Sequence, residues 1–75
     1  MSRLPVTSGR KVVAALERIG YIVVRQRGSH IRMRHPSDTR RRPVTVPDHR
    51  TLKTGTLHAI LRDAQLGVGE LIELL

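Results

Sequence analysis

The chain has 75 residues, no cysteine, and 14 lysines and arginines against 6 aspartates and glutamates, a formal charge of +8 at neutral pH. At this length only roughly 60% of the unfolded chain's surface is buried, so the expectation is a single domain, residues 1–75, with a thin core. The absence of cysteine excludes disulfides and thiolate metal sites. The apolar runs are far shorter than the about 20 residues of a membrane span, which predicts a cytoplasmic protein with no membrane partner.

In chain order, Ser8 to Ile19 reads as an amphipathic helix. Val12, Val13, Leu16 and Ile19 recur at helical spacing, Thr7 or Ser8 can cap the start, and Gly20 can end it. Tyr21 to Arg27 reads as a strand, β-branched at Ile22, Val23 and Val24. Arg27-Gly28-Ser29 forms a tight turn into a second strand, His30 to His35. A polar, basic loop from Pro36 to Arg42 leads to a short third strand, Val44-Thr45-Val46, closed by Pro47. Leu57, Ile60, Leu61 and Ala64 mark a second helix, opened by Lys53-Thr54-Gly55-Thr56. After Gly67, residues Gly69 to Leu75 make a last apolar helical turn or two.

The predicted class is therefore α+β: helix, three strands, helix, with a short C-terminal helix. Strands this short with brief connections pair antiparallel. Both helices are expected to cover one face of the sheet and leave the other wet. Within the second strand, alternation sends Ile31 and Met33 to the core and His30, Arg32 and Arg34, joined by Thr45, to the wet face. The apolar tail residues Leu71, Ile72, Leu74 and Leu75 are left to pack internally or to meet a second copy in a homodimer.

The charge selects the class of partner. A field of +8 on so small a surface attracts polyanions, and twelve of the fourteen cations are arginine, whose planar fork suits phosphate. Tyr21 is the sole aromatic residue, which argues against modules that stack unpaired bases on aromatic platforms. Recognition of an RNA backbone by cations follows. Arg27, Arg32, Arg34 and Arg42 are the candidate arginines, the last from the Arg40-Arg41-Arg42 run. Lys53 stands at a helix N-terminus, where free N–H groups suit a phosphate, although capping by Thr51 or Thr54 is an equally good reading.

His30 carries the chemistry. A neutral imidazole is available at physiological pH as a general base. In RNA the 2′-hydroxyl beside each phosphate is a built-in nucleophile, and neighbouring cations stabilise the charge on the phosphorane oxygens. The same residues also suit a non-catalytic RNA-binding module in which His30 is only a phosphate contact. His35, five residues on, falls on the opposite face of a regular strand and ends it; His49 lies in a loop and His58 on the second helix. No metal site and no cofactor are expected, because no His or carboxylate pair has ligand spacing.

Several of these segments resemble one known family. Leu16-Glu17-Arg18-Ile19-Gly20-Tyr21, Arg27-Gly28-Ser29-His30, Arg34-His35-Pro36, Val44-Thr45-Val46-Pro47-Asp48-His49 and the run from Leu52 to Arg62 (Leu-Lys-Thr-Gly-Thr-Leu-His-Ala-Ile-Leu-Arg) are similar to the HicA (YcfA) toxins, in order and over nearly the whole chain. The Gly-Ser-His turn combined with the Leu-Lys-x-Gly-Thr-Leu helix start is the specific part. The resemblance implies a double-stranded-RNA-binding-domain-like fold. It also implies an mRNA interferase that cuts mRNA without a metal, with the motif's histidine, His30, at the centre. Gly28 and Ser29 would shape the turn and hold the imidazole, and Ser29 would also contact the RNA. The implied partners are mRNA and a HicB-type antitoxin that covers the active face.

Overall fold

The computed structural model describes residues 3–75. The first helix, α1, runs Gly9–Arg18 and buries Val12, Val13, Ala15 and Leu16. Of the two predicted caps, Ser8 performs the role: its hydroxyl accepts the Lys11 N–H at 3.2 Å. The helix ends as expected at Gly20, whose φ of +104° suits a left-handed cap. There Gly20 N–H donates to the Glu17 carbonyl and Tyr21 N–H to the Leu16 carbonyl, the paired pattern of a Schellman motif. The chain is thereby turned straight into the sheet, and a Cβ on Gly20 would lie 2.5 Å from the His35 ring.

Strands β1 (Ile22–Arg27), β2 (His30–Arg34) and β3 (Val44–Pro47) form one antiparallel sheet in the order β1-β2-β3. Helices α2 (Thr54–Ala64) and α3 (Val68–Leu74) follow. This is the expected α+β arrangement, like that of a double-stranded-RNA-binding domain. Alternation in β2 and β3 works as the period of two requires: Ile31, Met33, Val44 and Val46 are buried with Val12, Leu16, Leu57, Ile60 and Leu61. Leu71 of α3 joins that core, whereas Ile72 and Leu75 remain exposed.

Two expectations need correction. The helices do not cover the whole apolar side of the sheet: α1 and α2 pack on β3, and Ile22, Val23 and Val24 of β1 stay exposed. A thin core made by two short helices spans two strands fully, and the third projects beyond it. Neither Thr51 nor Thr54 caps α2. Lys53 holds the cap position and contributes no side-chain hydrogen bond.

Tyr21 closes the far end of the core. It is buried, and its hydroxyl donates to the Arg42 carbonyl at 2.7 Å, while Arg42 N–H donates to the Asp63 carbonyl at 2.7 Å. Loss of hydration pushes the phenol above its ordinary value; Arg41 opposes this and Asp63 and Asp38 reinforce it. The sign for stability follows. The neutral phenol's contribution is complete below the ordinary value of about 10 and is lost as the pH climbs through the raised native one. Because Tyr21 is the only tyrosine and tryptophan is absent, spectrophotometric titration of phenolate reads this residue alone. The midpoint is expected above that of the urea-unfolded chain, and coincident midpoints would contradict the packing described.

Candidate nucleic-acid interface and catalytic histidine

The Arg27–His30 turn places the histidine. Gly28 has φ +56° with open space around its Cα, so glycine is favoured there for its backbone conformation rather than for room. The turn is held from the helix side. Asp48 N–H donates to the Ser29 carbonyl at 2.6 Å, and Gln26 Nε2 donates to the Gly28 carbonyl at 3.0 Å. Arg10 on α1 ties these together, reaching both Asp48 oxygens at 3.2 and 2.9 Å and Gln26 Oε1 at 3.3 Å. Ser29 is exposed and serves the turn through its backbone.

On the open face, His30 is exposed, with Arg27 opposite it on one side and Pro47 on the other. Arg32 stands opposite Arg25 and Thr45, and its Nη1 donates to Thr45 Oγ1 at 3.0 Å. Arg34 completes the row, opposite Ile22. Directly opposed residues share a face with Cβ atoms about 5 Å apart, so the face carries His30 among Arg25, Arg27, Arg32 and Arg34.

Arg25 is the residue the sequence reading missed. The register shifts between Val23 and Arg25, leaving Val24 without a partner opposite. Before this bulge Val23 falls opposite Met33, and after it Arg25 and Arg27 fall opposite Arg32 and His30. The signal that could have found Arg25 was its even spacing from Arg27, once the turn is known to pair Arg27 with His30.

The cations on this face are not neutralised from within. Among the described residues, the acidic partners in ion pairs are Asp38 with Arg40 and Arg41, Asp48 with Arg10, and Asp63 with Arg62. None serves Arg25, Arg27, Arg32 or Arg34. Like charges placed directly opposite on a sheet are destabilising, so the Arg25–Arg32 pairing costs the sheet stability.

The remaining candidates divide. Of the arginine run, Arg41 is anchored, donating to the Ala64 carbonyl at the end of α2 at 2.9 Å. Arg40 folds back onto Asp38, whose carboxyl is held below its ordinary value chiefly by the Arg40 N–H. Arg42 remains exposed. Lys53 is also exposed. The first turn of α2 reaches the basic face through Thr56, which lines a groove of about 350 Å³ with Arg32, Thr45, Val44 and Asp63.

His35 is structural, in keeping with its predicted place at the strand end. Its Nδ1 accepts from the Asp38 N–H at 3.0 Å and the Ser37 N–H at 3.3 Å. Nε2 therefore carries the proton and donates to the Ile19 carbonyl at 2.7 Å, and the ring packs edge-on against Tyr21. His49 and His58 are exposed; the His49 carbonyl accepts the Gly9 N–H at 2.9 Å. No three His, Asp or Glu residues gather as a metal site among the described residues. No described helix is long and apolar enough to cross a membrane.

The chain is a small α+β domain that carries an exposed histidine among arginines with no acidic partner among the described residues. Residues 9–66, well over half of the chain, match the HicA toxin of bacterial toxin–antitoxin systems. The chain belongs to the HicA toxin family, and is thus a toxin with an antitoxin partner. Among curated proteins there is no match.

Proposed function

We propose that this chain is an mRNA interferase: an endoribonuclease that cleaves mRNA in the cytoplasm without a metal and is neutralised by a HicB-type antitoxin. The observation that carries this reading is the exposed His30 on the open sheet face, flanked by Arg27 and Arg32. The arginines bind the RNA backbone and carry no base code of their own. His30 takes the proton from a 2′-hydroxyl, and the 2′-oxygen attacks the adjacent phosphorus. The bond from phosphorus to the 5′-oxygen breaks, that oxygen takes up a proton, and the products are a 2′,3′-cyclic phosphate and a free 5′-hydroxyl. Arg32, already oriented by Thr45, and Arg27 stabilise the charge that builds on the phosphorane oxygens.

The test follows from the nucleophile. In EDTA, the chain is expected to cut single-stranded RNA and to leave the same sequence intact when the 2′-hydroxyls are replaced by hydrogen. Equal cleavage of both would remove this mechanism.

Arg25 supplies a second measurement. Arg25→Ala is expected to weaken RNA binding without changing the pattern of cut sites. The slope of log affinity against log salt should also fall by about 0.7, the single-strand value for one phosphate contact. An unchanged slope would put Arg25 outside the interface.

A further inference from the structure

The edge strand β1 presents apolar surface that nothing in the fold covers. Ile22, Val23 and Val24 are 42%, 44% and 49% exposed, three consecutive β-branched residues of types that are usually buried. β1 closes one side of the sheet, and its substantial packing is against β2 alone, whereas β3 at the other edge lies against both α1 and α2. Along Ile22–Arg27 the outer backbone groups face no further strand among the described residues, which makes them a template for a pairing chain.

The disposition of the side chains selects the mode of docking. Val23 is opposite Met33 and so lies on the helix side, while Ile22 is opposite Arg34 and lies on the open side. A partner resting on one face would cover only part of this surface. A chain laid alongside β1 as a further strand would reach both faces and satisfy the backbone as well. Charge selects the occupant. Arg25 and Arg27 share the strand and have no carboxylate partner among the described residues. A second copy of a chain carrying +8 would bring repulsion to this edge, and an acidic segment would bring attraction.

We infer that β1 is the antitoxin-docking edge: an extended antitoxin segment, apolar against Ile22–Val24 and acidic against Arg25 and Arg27, adds to the sheet as its fourth strand. This rests on the family assignment and on the antitoxin named under the proposed function, and it goes beyond them by specifying the surface and the mode. It also accounts for neutralisation. The added strand lies two strand spacings from β2, about 10 Å, so an antitoxin body held there overhangs His30 and the arginine face.

The test uses the full chain and the protein encoded beside it. Amide hydrogen exchange across β1 is expected to slow in the complex. The double variant Val23→Glu, Val24→Glu should lose affinity for the antitoxin by on the order of 30-fold or more. It should keep the wild-type melting curve and RNA cleavage, because both side chains are exposed and neither belongs to the catalytic face. An antitoxin that binds without protecting β1, or that binds the double variant equally well, overturns the inference and leaves the ribonuclease reading standing. A free chain that is already dimeric with β1 protected overturns it in favour of a second copy. Failure of the neighbouring protein to form any complex removes the antitoxin assignment and this inference together. Loss of cleavage from the wild-type chain bears only on the ribonuclease reading.

Discussion

Replacing His30 with alanine is expected to slow RNA cleavage by about 10²–10⁴-fold, the range a positioned general base contributes, while RNA affinity stays nearly constant. The split follows from the electrostatics of the face. Affinity for a backbone comes from fixed cations and the counterions they displace, and Arg25, Arg27, Arg32 and Arg34 all remain. One imidazole adds little to that sum, yet among the described residues it is the proton acceptor set among those arginines. Single-turnover cleavage and filter binding, run in parallel in EDTA, read the two quantities separately. Cleavage surviving at the wild-type rate would remove His30 from the chemistry. Binding without cleavage by both proteins would leave an RNA-holding domain in a family of toxins.

Gly9→Ala is expected to destabilise the fold by about 1–3 kcal/mol, the usual cost of forcing extra atoms into a close-packed contact. Intrinsic preference predicts the opposite sign, since alanine is favoured over glycine in helices by about 1 kcal/mol. Packing prevails because a Cβ at position 9 would overlap the Pro47 carbonyl oxygen, where the start of α1 meets the end of β3. The Gly9 N–H also donates to the His49 carbonyl at 2.9 Å, so α1 cannot withdraw without breaking that bond. For a domain of this size the melting temperature should fall by about 4–24 °C. The damage should reach the candidate site as well, because Pro47 is the register partner of His30 and Asp48 secures the turn at Ser29. A variant more stable than wild type would mean that helix and strand separate at little cost.

The two substitutions mark the boundary between what was legible and what was not. His30 could be picked out from the chain because the alternation of β2 is a local property. A period of two assigns His30, Arg32 and Arg34 to one face and Ile31 and Met33 to the other, and burial follows that assignment. The cap at Ser8, the left-handed stop at Gly20 and the turn at Gly28 were equally readable, since each depends on the conformational limits of a few adjacent residues. Arg25 was not. Its face follows by alternation from that of Arg27, which is fixed only by the pairing of Arg27 with His30, a relation between two strands. The turn clamp was hidden for the same reason: Arg10, Gln26 and Asp48 come from a helix, a strand and a loop, up to 38 residues apart.

By itself, then, the sequence determined the order of the elements, the face of β2 that carries His30, the basic character of the chain and the family. Only the tertiary structure decided which arginines share that face, how the turn before His30 is secured, that glycine is required at position 9, and that β1 projects beyond the core with its valines exposed. The division has one physical cause. Propensity, capping and alternation act within a few residues along the chain, whereas register, close approach and coverage are set by segments that meet only on folding.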